Sequence, residues 1–360
     1  MSALVLLLSC TREASIPVYV WGGGTSDEVE LRENFKTWKS HGVKGVCLNY
    51  GLDYDKIALA SDIAHEFGME YHAWIPMAVQ QSGHDHNPAW YTVNRLGQSA
   101  LDNPPYVSYY QTLDPHNPEV VDFFVDFCCK IADIPAVDYV QLDYIRYADV
   151  ILARGLWDKY GLVMDEEYAP ADFCYCDDCV KDFLEKTGID IRKVEDPSGC
   201  EQWAEFRCDN VTGAVNRIAE AVHAKGKKLS ADVFPGPESY AKWMVRQQWD
   251  EWNVDAFFPM NYNDFYLEGP EWVGEITAEE VRSIENSGAS LYSGLFICRD
   301  WRNKADIKDP EGHGLNPSEL QSAVKGALEA GATGICLFSA DSMTQEHWDA
   351  LDEVISAQKR

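Results

Sequence analysis

A chain of 360 residues, 46% hydrophobic and with 12 Trp, has ample material for a large core, which excludes disorder as its native condition. Its formal net charge of −29 excludes the basic footprint that nucleic acid requires. The same charge disfavours polyanionic substrates unless a local Arg/Lys pocket overrides the field, so a neutral ligand fits better.

The first ten residues, "MSALVLLLSC", form an apolar run ending in Leu-Leu-Ser-Cys, the shape of a lipoprotein signal's tail with Cys10 as the lipidated residue. The run is too short to span a bilayer, and the basic segment that opens a signal is missing. A frayed apolar terminus is the alternative. Residues 1–16 are expected to be a signal remnant and tail on an exported, periplasmic or cell-surface lipoprotein, with Cys10 the only membrane attachment. No other segment approaches a transmembrane helix.

From there one unit repeats: a helical segment ends at a glycine, two or three residues pass, and an apolar strand begins. Gly42, Gly68, Gly226, Gly288 and Gly331 mark these junctions, where glycine supplies the left-handed residue that closes a helix. Asn316-Pro317-Ser318-Glu319 predicts a capped helix start, and Thr277 with Glu280 a second capping box. The strands in chain order are "VYVWG", "VKGVCLN", "EYHAWIPM", "DYVQLD", "LSADVF", "DAFFPM", "LYSGLFI" and "GICLFS". Eight strands, each followed by a helical pattern, predict a parallel sheet closed into a (β/α)8 TIM barrel over residues 17–360. An open doubly wound sheet is disfavoured, because "WGGGTS" lacks the dinucleotide-binding spacing. Two connections are long, about 79–117 after strand 3 and about 144–199 after strand 4. Both leave the end of a barrel that carries active sites. The first holds Trp90, Tyr91, Tyr106, Tyr109 and Tyr110; the second holds Trp157 and three clustered cysteines.

Strand-end residues converge on one mouth in such a barrel. They are Trp21, Asn49, His72, Trp74, Asp143, Asp232, Tyr262, Asp264, Arg299, Asp300 and Asp341, with Glu238 just beyond strand 5. Carboxylates among Trp and Tyr are the composition glycoside hydrolysis needs, since two acids must flank the scissile bond. Asp143 is the expected nucleophile or base, and Asp264, Asp232 or, less centrally, Glu238 the acid. Tyr144, Arg146, Tyr147 and Tyr262 would position a sugar, with Asn49, His72 and Arg299 as further polar contacts and Trp21, Trp74 and Trp90 lining subsites. Each has a structural alternative: Asp143 paired with Arg146, Asp232 capping a turn, Asp264 a loop acid, His72 a hydrogen-bonded wall residue.

The eleven cysteines are an odd number, so they cannot all pair within the chain. Cys47, Cys298 and Cys336 sit in strand-like runs and Cys128 and Cys129 in a helical one, where packing is expected. Cys174, Cys176 and Cys179 have the C-x-C-x-x-C spacing that fills three corners of a structural zinc site. Cys200, Cys208 or an aspartate would be the fourth ligand. A disulfide with a free thiol is the competing arrangement. No cofactor is expected for catalysis, and the first strand has no His-x-His for a metal-dependent hydrolase; "HDH" at His84–His86 is an isolated match.

The segments "VQLDYIRYADVIL", "DFCYCDDCVKDFLEKTGID", "WAEFRCDNVT", "VFPGPE", "VRQQWDEWNVDAFFPMNY" and "GATGICLFS" resemble the bacterial glycosyl-hydrolase-like family 10 proteins over about residues 18–340. The resemblance implies a TIM-barrel glycosidase carried as a surface lipoprotein by a polysaccharide-degrading bacterium. "CYCDDC" is also similar to the zinc cluster of family 42 β-galactosidases, without a clear counterpart of that family's upstream cysteine. An α-galactosidase-type pair would correspond to Asp143 and Asp264. The clan with Asn-Glu after strand 4 does not fit, because neither of its glutamates is present. A non-catalytic carbohydrate-binding barrel and a metal-dependent hydrolase or lyase are the rival expectations; the oligomeric state has no signal in the sequence.

Overall fold

A computed structural model describes residues 16–79 and 86–358. Eight parallel strands close into one barrel in sequence order: β1 (Val18–Gly23), β2 (Gly45–Asn49), β3 (Glu70–Pro76), β4 (Tyr139–Asp143), β5 (Lys228–Val233), β6 (Ala256–Pro259), β7 (Ser290–Phe296) and β8 (Gly334–Phe338). The helices are α1 (Glu28–Ser40), α2 (Tyr54–Glu66), α3 (Pro118–Ala132), α4 (Trp157–Tyr160), α5 (Asp177–Thr187), α6 (Glu201–Ala224), α7 (Lys242–Val245), α8 (Asn263–Tyr266), α9 (Trp272–Ser283), α10 (Pro317–Glu329) and α11 (Gln345–Gln358). All eight expected strands are present. Cys10 and His84 lie outside the described residues. No described helix is long and apolar enough to cross a membrane.

Strands buried on both faces read as nearly continuous apolar runs, as β4 does with all five residues buried. Alternation then assigns the faces. Val46, Leu48, Ala73, Val140, Leu142 and Ala231 belong to the core shared with the helices. Tyr19, Trp21, Cys47, Tyr139, Phe258, Tyr292 and Cys336 fill the barrel interior. All five junction glycines adopt positive φ. Asn316 and Glu319 form the expected capping box. Thr277 does not cap: it lies inside α9, fully buried, and its hydroxyl meets Asn261 and Ser293. Buried helix–sheet polar contacts make Thr277 a packing residue, a role its local spacing does not distinguish from a cap.

The two long connections fold onto each other. Asn94 bridges Phe173, Tyr175 N–H donates to Val93 O at 2.8 Å, and Asn94 Nδ2 donates to Pro170 O at 3.0 Å. Beneath this seam Arg207 pairs with Asp172 and Arg246 with Glu167, all with side chains at most 12% exposed. Charges so buried hold a loop in place because separating them leaves one uncompensated.

Candidate active site

A cavity of about 500 Å³ opens at the C-terminal mouth, lined by residues of β1, β2, β3, β4, β5, β7 and β8 and of both long connections. Trp21, Asn49, Trp74, Asp143, Asp232 and Phe338 come from the strands. Trp21 lies flat enough to reach β7 because position 294 is glycine: a Cβ there would meet Trp21 Cη2 at 2.7 Å and Pro259 O at 2.6 Å.

Asp143 and Asp232 are neighbours by register. Leu142 pairs with Ala231, so the next residues of β4 and β5 stand side by side, both facing inward. Asp143 Oδ2 accepts from Trp74 Nε1 at 3.0 Å and Oδ1 from its neighbour's backbone, Tyr144 N, at 2.7 Å. Tyr144 adopts φ +52 to make that turn, a left-handed conformation that a tyrosine adopts only at some energetic expense. Burial raises the Asp143 carboxyl to about 6, against the lowering by Tyr144 N–H, Trp74 and Arg146. Asp232 Oδ1 accepts from Gln141 Nε2 at 2.7 Å, while Oδ2 is buried with no partner. Burial first, and then the charge of Asp143, push Asp232 well above the carboxylate range; Gln141 and Trp21 oppose this. Trp21 Nε1 is near enough to act on Asp232 electrostatically but falls short of hydrogen-bond geometry. Two like charges so placed resist ionising together, so the pair loses its protons in two separate steps.

Much of the rest of the wall is aromatic. Tyr106, Tyr109 and Tyr110 come from the first long connection, Tyr144 and Tyr160 from the second, and Tyr262, Phe265 and Tyr266 follow β6. One buried ion pair ties these parts together. Arg146 donates to Asp149 Oδ2 at 2.9 Å and to Tyr110 Oη at 3.1 Å, with its guanidinium 5.1 Å from the Tyr144 ring centre and 4.8 Å from that of Phe234. Tyr106 Oη donates to Asp149 O at 2.7 Å. Arg146 therefore pairs with Asp149 rather than Asp143, which leaves Asp143 without a salt bridge.

Over residues 35–284 the sequence matches glycosyl hydrolase-like 10. The chain belongs to the glycosyl hydrolase-like 10 family. The match ends just past α9, short of β7 and β8, which close the barrel. In fold, this family member is similar to the PgaB (BpsB) glycoside hydrolase domain of Bordetella bronchiseptica, with 14% identity and TM-score 0.65, covering 94% of this chain and 99% of that one. It is also similar to the catalytic domain of β-amylase from Paenibacillus polymyxa, with 11% identity, TM-score 0.60 and coverage of 96% and 99%. A class V chitinase from Pseudomonas fluorescens Pf-5 matches at 12% identity and TM-score 0.53, with coverage of 95% and 99%. These are likenesses of fold. No curated protein matches in sequence.

In this glycosyl hydrolase-like 10 barrel, eight of the residues expected at the site line the cavity: Trp21, Asn49, Trp74, Asp143, Tyr144, Arg146, Asp232 and Tyr262. The others lie elsewhere. Asp264, in α8, accepts from Gly314 N at 2.9 Å and pairs with Lys304 at 3.3 Å, so its carboxylate anchors the loop after β7. Glu238 and Arg299 are exposed and outside the cavity lining. His72 is fully buried one layer below, stacked on Tyr139 at 4.0 Å and bonded to Ser230 at 3.0 Å; burial lowers it to about 3, so it is neutral. Trp90 lies on the outer face, donating to Glu119 at 2.7 Å. Tyr147 is buried and meets Asn210. Gln141, Asp149, Tyr106, Tyr109 and Tyr110 were not expected at the site. Gln141 carried a signal, as a polar residue two positions before Asp143 on the same strand face.

The cysteines form a second cluster outside the cavity lining. Cys176 Sγ and Cys179 Sγ lie 3.4 and 3.5 Å from Asp114 Oδ2, and Cys174 Sγ lies 2.7 Å from Cys179 Sγ. Among the described residues, Asp114, Cys176 and Cys179 are close enough to share one metal ion. Neither Cys200 nor Cys208 joins that group.

Proposed function

We propose that this barrel is a glycoside hydrolase in which Asp232 is the general acid and Asp143 the nucleophile. The observation that carries the reading is the side-by-side placement of two buried carboxyls in unlike surroundings, Asp143 held by Trp74 and Tyr144 N–H and Asp232 raised further by burial and by Asp143, at the floor of an aromatic cavity. Hydrolysis of an acetal needs that division of labour, with one acid to protonate the leaving oxygen and one carboxylate to meet the developing oxocarbenium ion. Asp232 Oδ2 gives its proton to the glycosidic oxygen as the C–O bond breaks, and Asp143 attacks the anomeric carbon. Asp232, now a carboxylate, then takes a proton from water, whose oxygen displaces Asp143.

With Asp143 as nucleophile the reaction retains configuration, which calls for carboxyls about 5–5.5 Å apart. Trp74 and Tyr144 N–H fix the Asp143 carboxylate, and Tyr109, Tyr144 and Tyr262 offer aromatic faces to sugar rings. Among the described residues Arg146 is the lone cation of the lining and is already paired, while Asp143, Asp149, Asp232 and Glu311 are acidic. Uncharged sugars suit that wall better than uronic acids or sulfated ones.

A barrel that only bound carbohydrate would have no need of a second carboxyl beside Asp143, so the position of Asp232 counts against that alternative. The test is a panel of neutral oligo- and polysaccharides with the wild type, Asp143→Asn and Asp232→Asn. The expected result is turnover by the wild type and a loss of about 10³-fold or more in each variant, with binding kept. Full activity in Asp143→Asn, or binding without turnover by the wild type across the panel, would overturn the assignment.

A further inference from the structure

We infer that Asp114, Cys174, Cys176 and Cys179 bind a structural Zn²⁺ ion that clamps the first long connection to the second. The inference is independent of the glycosidase reading, because none of the four residues lines the cavity. Asp114 lies at the end of the connection after β3, four residues before the start of α3 at Pro118. The cysteines belong to the connection after β4 and to the first turn of α5. Sequence separations of 60 to 65 positions thus converge on one point.

Asp114, Cys176 and Cys179 already have the spacing of donors to one tetrahedral ion, and Cys174, in contact with Cys179, would join them by a shift of its side chain. Bonds of about 2.3 Å to sulfur and about 2.1 Å to oxygen would hold a sulfur and an oxygen about 3.6 Å apart. The Asp114 Oδ2 contacts to Cys176 and Cys179, 3.4 and 3.5 Å, are at that spacing. Sulfurs on one ion would lie about 3.8 Å apart, so Cys174 and Cys179, now 2.7 Å apart, would separate by about 1 Å.

The surroundings are those of bound thiolates. Cys176 is the N-cap of α5, and its Sγ accepts from Cys179 N at 3.4 Å. The positive end of an 11-residue helix favours negative sulfur there. Asn210 Nδ2 donates to Cys174 Sγ at 3.5 Å. Asp114 Oδ1 accepts from His116 N at 3.0 Å, which leaves Oδ2 turned to the sulfurs. Such outer contacts orient ligands in metal sites. Cys174 and Cys179 are fully buried and Asp114 is 3% exposed, so these three donors are shielded from bulk water, while Cys176 is half-buried. Three sulfurs with one oxygen select zinc over magnesium or calcium.

The rival is a Cys174–Cys179 disulfide, which would staple the second connection to itself and leave Asp114 out. The experiment uses the full chain purified under reducing conditions, with metal content by plasma mass spectrometry and free thiols by alkylation and intact mass. About one zinc per chain supports the inference, as do tetrahedral cobalt bands with thiolate charge transfer when the protein is produced in cobalt medium. Asp114→Asn should bind zinc at least about tenfold more weakly against a chelator, while Cys200→Ser should bind it as the wild type does. Metal-free protein carrying a Cys174–Cys179 disulfide would overturn the inference. So would Asp114→Asn with undiminished zinc affinity. If Asp114→Asn does not fold, the wild-type zinc stoichiometry and cobalt spectrum decide alone.

Discussion

Gln141 and Asp232 meet across the β4–β5 boundary: Gln141 Nε2 donates to Asp232 Oδ1 at 2.7 Å, and Asp232 Oδ2 is buried without a hydrogen-bond partner among the described residues. A neutral carboxyl so held carries its proton on Oδ2, since Oδ1 is already accepting. Gln141 thus selects which oxygen is the acid. Gln141→Leu removes a bond that favours the charged form, so the Asp232 pKa rises further. The alkaline limb of kcat/KM should move to higher pH while the acid limb stays, as a pH–rate profile would report.

The wild-type profile itself should be bell-shaped. Asp143 must lose its proton, giving an acid limb near pH 6, and Asp232 must keep its own, giving a fall at a pH well above the carboxylate range. The limbs belong to the pair as macroscopic constants. A single rising limb with no alkaline fall would remove Asp232 as the acid.

Stability should run opposite to ordinary carboxylates. Both folded-state pKa values are raised above the unfolded value of about 3.9, so the folded state binds more protons than the unfolded one and loses stability as pH rises. The contribution of Asp143 is complete below about pH 3.9 and is lost through about pH 6. Asp232→Asn removes the larger of these penalties and keeps the acceptor for Gln141. Its melting temperature should exceed that of the wild type at pH 8 and equal it at pH 4. An equal or lower value at pH 8 would show that Asp232 is not protonated in the folded protein.

Arg146→Met leaves Asp149 buried without its cation, a loss of about 3–5 kcal/mol in urea unfolding. Arg146→Met with Asp149→Leu should recover most of it. Only in the double variant does Tyr110 lose both of its partners, Arg146 and Asp149 Oδ2, so there KM should rise more than kcat falls.

Gly294→Ala drives a methyl into Trp21 and the Pro259 carbonyl. Overpacking of this kind destabilises by about 1–3 kcal/mol, and the displaced indole should raise KM. Unchanged KM and melting temperature together would mean that Trp21 is free to move.

The barrel was legible because β4, β6 and their neighbours are buried on both faces and punctuated by glycines that take positive φ. Within strands the site was legible too: Asp143, Trp74 and Trp21 follow from alternation. Past the strand ends it was not. Asp264 sits two residues beyond Tyr262, and nothing in that offset tells that α8 turns its carboxylate to Lys304 and Gly314 N. His72 has the inward parity expected of it, but depth along the barrel separates a mouth residue from one a layer below. Asp114 was hidden for another reason. Its partners lie more than 60 positions downstream, and no local pattern reports a contact at that range.

The mouth is lopsided. Beyond β3 and β4 the long connections stand up and lean on each other, whereas 339–344, 24–27 and 50–53, which follow β8, β1 and β2, are short. A ligand longer than the cavity leaves over that low side, past Asn49 and Phe338. A polymer lying across it would be cut within its length instead of trimmed from a tip. The sizes of early products from a long glycan would separate the two, with internal cutting giving broad fragments and trimming giving only the smallest.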